Sequence, residues 1–364
     1  MNIALIGEGI TNLVLAKILI KKDIKVSLFF VKKNSNNQFS RTIGISKNNI
    51  EFFKNNNLDL TKISWPINSI KIFNELSKKY EILNFNNNQG HLFSLVKNND
   101  LYYLLKKDLK KKKLFSRFEI KSDVIYEKIL KNNKFDLIIN TDTKNKISKN
   151  FFYRKINKDY NSFAYTAFIK HKKCKNNVAT QIFTKKGPLA FLPYAKNQTS
   201  IVFSIINHNK ELSKLDIEKL INKYNNYYEI TSFSKFEKFK LNFSAARNYY
   251  YNNVLSFGDN LHKIHPLAGQ GFNMTLRDIQ ILEDIIDFRL DLGLPLDKSV
   301  LKDFESKTKH LNYIFSSGID FIHEFFKFEN KFGNNYTKQI IKYLGKNKLF
   351  NQYISNFADR GLFF

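Results

Sequence analysis

Hydrophobic and polar positions follow several different periods along this chain, and each change of period marks a new element. Residues 3–6 (Ile-Ala-Leu-Ile) form a short unbroken apolar run, the mark of a strand buried on both faces. A glycine-containing turn follows. Apolar residues then recur at helical spacing across 13–20, and a second apolar run covers 25–30, so the chain opens β-α-β. Residues 34–39 are polar and loop-like, and a helical period resumes across 46–53 behind Ser46, a residue suited to cap it. Alternation across 69–73 and 80–85 predicts strands outside the first sheet, 98–113 predicts a helix, and 135–140 predicts a buried strand closing that sheet. From 151 to about 244 the alternation lengthens, with strands expected at 164–170, 179–183 and 200–206 and one helix at 214–225, a second domain of mixed type. Residues 254–257 return to a short buried strand, and the chain from Gly271 onward is mostly helical. There are no internal repeats, and the Asn-rich patches read as loops.

Composition narrows this picture. A chain of 364 residues with 43% hydrophobic and 15% aromatic content can bury a large shared core, so one enzyme-sized unit is expected rather than a string of domains. A formal net charge of +28 ordinarily points to nucleic acid or anionic lipid. Only seven of the 60 basic residues are arginines, however, and nucleic-acid readers favour the bidentate arginine fork. The excess of Lys, Asn, Ile and Phe reads as A/T-rich codon usage. No nucleic-acid partner is expected, and attraction to an anionic membrane surface is the secondary consequence of the charge. The run at 106–113 (KKDLKKKK) fits the wet C-terminal end of its helix, where cations suit the dipole. Cys174 is the sole cysteine, so no intrachain disulfide or multi-cysteine metal site is expected, and the seven histidines lack ligand spacing such as H-E-x-x-H. The first residues carry no basic segment before their apolar run, and no stretch reaches the roughly 18 apolar residues of a spanning helix. The expectation is a cytoplasmic protein, able to sit peripherally on the inner face of a membrane.

Two segments carry chemistry. The first turn reads Gly7-Glu8-Gly9-Ile10-Thr11-Asn12, matching G-x-G-x-x-G at its first two glycines and departing from it at the third. Those two serve the tight turn and the close approach of backbone to a pyrophosphate at a helix N-terminus; the third ordinarily lets helix and strand pack closely. An acidic residue normally ends the second strand to bind a ribose hydroxyl, and here Phe30 stands there, with Asn34 and Ser35 as neutral alternatives. The second segment, 258–278, reads GDNLHKIHPLAGQGFNMTLRD. A strand delivers Gly258 and Asp259 into a turn where the carboxylate can take hydrogen bonds from a polyol chain. Pro266 stiffens the path, and Gly269 and Gly271 let backbone N–H groups approach a flat ligand. A helix begins there with its positive end toward that ligand.

Residues 258–278 resemble, almost residue for residue, the second FAD motif of the ubiquinone-biosynthesis FAD-dependent hydroxylases, relatives of p-hydroxybenzoate hydroxylase, in which H-P-x-A-G-Q-G-x-N is a signature. Residues 40–46 (SRTIGIS) resemble the family's segment after the second strand, whose arginine lies near the cofactor, and 187–193 (GPLAFLP) resembles its G-P-x-A-x-L-P. The resemblance implies an α/β fold: an FAD-binding Rossmann-like domain of the p-hydroxybenzoate hydroxylase type, an inserted mixed β-sheet substrate domain and a helical C-terminus. The expected division is 1–68 with 86–150 and 245–290 for FAD, 69–85 with 151–244 for substrate, and 291–364 as the helical region. It also implies FAD contacts from Gly7, Gly9, Thr11, Arg41, Gly258, Asp259, Pro266, Leu267, Gly269, Gln270, Gly271, Phe272 and Asn273. Asp259 would meet the ribityl chain, 269–273 the isoalloxazine ring, and Pro266 and Leu267 the oxygen-reacting face. His265 belongs to a structural turn in the family and is a lesser candidate for proton transfer; no catalytic acid or base is assigned.

The implied activity is monooxygenation of a polyprenylated phenol with O2, electrons coming from NAD(P)H or a redox protein. Three departures motivate a second expectation. Asn12 and Phe30 alter the adenosine end, the family's G-A-D-G-x-x-S is reduced to Asn140-Thr141-Asp142-Thr143 with Ser148 two places late, and 118–135 is short for the usual strand meander. A flavin-poor binding subunit associated with other quinone-biosynthesis proteins would also fit these. A flavin reductase or dehydrogenase on the same fold is a third expectation.

Overall fold

The computed structural model describes residues 1–364 except 33–40, 76–80, 82, 87–89, 132–133, 207–211, 266–269 and 333–364. The chain begins with β1 (Asn2–Ile6), α1 (Ile10–Lys21), β2 (Lys25–Phe30), β3 (Thr42–Ser46), α2 (Lys47–Asn55), β4 (Ser64–Ile67), β5 (Ser69–Asn74), β6 (Leu83–Asn86) and β7 (Phe93–Lys97). It continues through α3 (Asn98–Leu109), β8 (Phe115–Glu119), α4 (Val124–Lys131), β9 (Leu137–Asn140), α5 (Lys146–Phe151), β10 (Lys155–His171), β11 (Val178–Thr184), β12 (Gly187–Ala195) and β13 (Gln198–Ile206). The remainder is α6 (Lys214–Tyr224), β14 (Ile230–Phe233), β15 (Glu237–Ala246), β16 (Tyr250–Tyr251), β17 (Val254–Ser256), a short 3-10 turn (Gly258–Asn260), β18 (His262–Lys263), α7 (Gln270–Asp291) and α8 (Lys298–Phe332).

The apolar run at the start becomes the middle of a six-stranded sheet ordered β16-β17-β9-β1-β2-β8, parallel except for the β16–β17 hairpin. Successive side chains of a strand face opposite ways. Ile3 and Leu5 therefore join one core with α1, α3, α7 and α8, while Ala4 and Ile6 join another with α4 and α5. Burial on both faces explains why the strand reads as uninterrupted hydrophobics. β9 lies inside this sheet rather than closing it, because the short β17 pairs beyond it. Residues 118–135, short for a strand meander, hold α4, which buries Tyr126 and Ile129.

A nine-stranded sheet runs β18-β15-β10-β13-β12-β11-β5-β6, with β14 also paired to β10. β5 joins β11 in parallel although about a hundred residues separate them in sequence, and β18 brings the early part of the second glycine segment onto β15. α6 covers one face, inserting Ile217, Ile221 and Tyr224 among Ile169, Leu189, Phe191, Ile201 and Phe203. Its N-terminus is fixed by a capping box in which Ser213 and Asp216 exchange hydrogen bonds. A three-stranded sheet, β3-β7-β4, was not apparent from periodicity. α8 packs along α7 through Leu301 and Phe304, and the predicted helical region beyond residue 332 lies outside the described residues. No described helix is long and apolar enough to cross a membrane.

Gly187 opens β12 at φ +132°, and a Cβ there would stand 2.1 Å from the Ser204 carbonyl oxygen. Gly293 follows α7 at φ +65° with open space around it. Gly187→Ala is expected to lower the unfolding free energy by more than ~2 kcal/mol, whereas Gly293→Ala carries only the left-handed backbone cost of roughly 1–2 kcal/mol. Urea denaturation of both variants checks the order, and an equal loss would contradict the packing at Ser204.

Candidate cofactor site

The β1–α1 turn is shaped by two glycines with different duties. Gly7 sits at φ +105°, its N–H bonded to the Phe29 carbonyl at 2.8 Å, and an added Cβ would lie 2.8 Å from Thr141 Oγ1. The protein itself needs that glycine. Gly9 is the N-cap of α1 in extended conformation (φ −89°, ψ 166°), and a Cβ there would meet nothing within 4 Å. Among the described residues no side chain caps α1, and no acidic residue occupies its first turn. The helix thus presents backbone N–H groups and a positive dipole end to open space, the arrangement that binds phosphate.

The second glycine segment arrives at the same place. Gly258, at φ +62°, lies against Thr11, whose Cγ2 would be 3.4 Å from an added Cβ. Asp259 is exposed, with Arg41 and Lys155 as charged neighbours. Arg41 stacks 4.3 Å from the Phe239 ring centroid; burial pulls its guanidinium below the ordinary range, against the opposing pull of Glu237 and Asp259. Burial likewise lowers Lys155, which donates to Asn260 Oδ1 at 3.3 Å.

Pro266, Leu267 and Gly269 lie outside the described residues. Gln270, Gly271 and Phe272 begin α7, whose first turn also lacks an acidic residue. Gln270 Oε1 is buried with no hydrogen-bond partner among the described residues. The Asn273 carboxamide is directed into the protein: Nδ2 donates to the Gly44 carbonyl at 3.0 Å, and Oδ1 accepts from Ser46 N at 3.1 Å and Asn49 Nδ2 at 2.9 Å. It ties the start of α7 to β3 and α2. His265 is buried edge-on to Tyr160, with centroids 5.3 Å apart.

No family model matches the chain. It is 24% identical over 365 residues to the mitochondrial ubiquinone biosynthesis monooxygenase of Dictyostelium discoideum, covering 79% of this chain and 74% of that protein. Against 3-demethoxyubiquinol 3-hydroxylase of Escherichia coli it is 29% identical over 170 residues, 43% of each chain. Among solved structures, p-nitrophenol 4-monooxygenase from Pseudomonas putida superposes with a TM-score of 0.79 at 10% identity, covering 99% of this chain and 98% of that one. Klebsiella pneumoniae HpxO, complexed with FAD and uric acid, gives 0.74 at 12% identity over 99% and 96%. The chain is thus similar in sequence to ubiquinone-biosynthesis hydroxylases and has the fold of FAD-dependent monooxygenases.

The chain replaces the absent motif residues with ties of its own. Asn12, fully buried in place of the third glycine, directs Nδ2 at the Ile6 and Gly7 carbonyls (2.9 and 2.7 Å) and at Thr141 Oγ1 (2.9 Å). At the altered segment after β9, Asn140 Nδ2 donates to Ser148 Oγ at 2.8 Å, and Asn260 Nδ2 reaches the same oxygen at 3.0 Å and the Asp142 carbonyl at 3.1 Å. The late serine is therefore the junction between β9, α5 and the second glycine segment. At the end of β2, the Arg117 guanidinium lies 4.4 Å from the Phe30 ring centroid and pairs with Glu8, whose carboxylate also faces Lys106 at 3.6 Å. Tyr102 bonds that carboxylate too; burial, then the charge of Glu8, pushes its hydroxyl well above the ordinary range. A carboxylate thus returns to the adenosine end from inside the glycine turn. Sequence reading missed it because Glu8 occupies a variable position of the motif and its partners come from α3 and β8.

Replacing Asn12 by leucine keeps approximate volume but removes both donors. The expected loss is about 2–3 kcal/mol of unfolding free energy, since buried acceptors lose their partners. Urea denaturation measures it; a loss below about 0.5 kcal/mol would mean that the carboxamide is not what holds the turn.

Proposed function

We propose that this protein is an FAD-dependent monooxygenase that hydroxylates the aromatic ring of a polyprenylated phenol in ubiquinone biosynthesis, using O2. The observation that carries the reading is the unfilled space at Gly9, before the uncapped N-terminus of α1 and beside the contact of Thr11 with Gly258. Gly9 and α1 would hold the pyrophosphate, Glu8 the ribose hydroxyls, Asp259 the ribityl chain, and Gln270 with the start of α7 the flavin ring. Bound FAD would supply the redox chemistry that moves one oxygen atom from O2 to the ring. The chain's residues bind and orient. Arg41 and Lys155 set a positive field around Asp259, and the long strands β10–β15 offer an aromatic wall for a prenylated ring. NAD(P)H or a redox protein would supply electrons. The basic surface favours a cytoplasmic protein held peripherally at an anionic membrane, near a polyprenyl substrate and other quinone-biosynthesis proteins.

The Glu8–Arg117–Lys106 cluster at the adenosine end favours one second reading, a flavin-poor binding subunit on the same fold. Titration of the purified protein with FAD, followed by visible absorbance, separates the two. Saturable binding supports the enzyme; a protein that stays colourless moves the reading to the subunit. Gly9→Ala should cost no more than about 1 kcal/mol in urea, the loss of a better N-cap residue, because its Cβ meets nothing within 4 Å, yet weaken FAD at least ~tenfold by occupying the phosphate space. Asp259→Ala should likewise lower flavin content on purification, and unchanged FAD binding in both variants would remove the site assignment.

A further inference from the structure

A cavity of about 590 Å³ lies between α8 and the strand ends that precede and follow the first turn of the second glycine segment. None of the cofactor-site residues lines it. Its walls are apolar, Ala246 and Leu261 among them, and its floor holds His262 and Ser316. Both floor residues are buried, 4% and 1% exposed, and among the described residues neither His262 Nδ1 nor Ser316 Oγ has a hydrogen-bond partner. The other ring nitrogen, His262 Nε2, stands 2.7 Å from Asp278 Oδ2, and Asn312 Nδ2 donates to Asp278 Oδ1 at 2.9 Å. A carboxylate at that distance accepts a hydrogen bond from Nε2–H. The pair also fixes the ring plane.

The rim has a different character. Arg247 and Lys302 are exposed there and make no ion pair among the described residues, whereas Lys309 is matched by Glu305 at 2.8 Å. The volume falls within the range that takes a ring-sized organic molecule.

We propose that this cavity is a second ligand site, separate from the cofactor cleft, for an amphipathic organic anion. Its acidic group meets Arg247 and Lys302, and its apolar body lies against Ala246 and Leu261.

Anilinonaphthalene sulfonate has this make-up, with a sulfonate, an aromatic body and one N–H, and N-phenylnaphthylamine is its neutral counterpart. Both are titrated calorimetrically into the full-length protein saturated with FAD. One saturable sulfonate site is expected, weakened at least ~tenfold when Arg247→Glu and Lys302→Glu are combined, while the neutral compound changes less than ~twofold. Both substitutions are at exposed positions, and an unchanged melting curve verifies the fold. Sulfonate binding that ignores the double substitution, that the neutral compound matches, or that FAD abolishes would overturn the proposal.

Discussion

The buried carboxamide of Asn12 is the contact on which the site depends. It lies where β1, the glycine turn and the segment after β9 converge, and its donors hold the Ile6 and Gly7 carbonyls and the Thr141 hydroxyl together. A glycine at this position lets a helix approach a strand by having no side chain; here the side chain is present and hydrogen-bonded, so the spacing is set by polar geometry instead. Gly7 must then keep its left-handed conformation, with Thr141 pressed against the place a Cβ would occupy. Gly9 is left open two residues later, and the N-terminus of α1 keeps its free amides.

The same substitution of polar contacts for motif residues recurs through the interior. Asn140, Asn145, Ser148 and Asn260 form one buried network, and Asn273 joins α7 to β3 and α2. Such networks stabilise only when their members are matched, since an unpaired buried amide costs about 1–3 kcal/mol. They also make the two glycine segments mechanically continuous: Ser148 touches both the end of β9 and Asn260, while Thr11 touches Gly258. Against this neutral interior, the charges near Asp259 are cationic and partly desolvated. Arg41 and Lys155 are held there at some cost to their protonated forms, an environment that favours an anionic ligand.

Elements governed by local periodicity were legible from the residues. The β-α-β opening, the Ser46 cap, which accepts from Asn49 N, and the strands of 164–206 follow from side-chain alternation and capping chemistry that act within a few residues. The 258–278 segment was legible for a related reason: turn glycines before a helix are a local requirement. The three-stranded β3-β7-β4 sheet was not legible, because strands of four or five residues paired across roughly thirty to fifty positions leave no periodic trace.

By itself, then, the sequence determined the β-α-β opening, the long strands of 164–206, the family resemblance and the glycine-containing turns, because each depends on the character of neighbouring residues. Tertiary structure decided how the departures from the motifs are accommodated. Asn12 looked like a missing glycine until Thr141 stood beside it, Phe30 looked like a missing acid until Glu8 and Arg117 met above it, and Ser148 looked displaced until Asn260 reached it. Hydrogen bonds and ion pairs between residues more than a hundred positions apart are set by the packing of whole sheets and helices, and no local pattern records them.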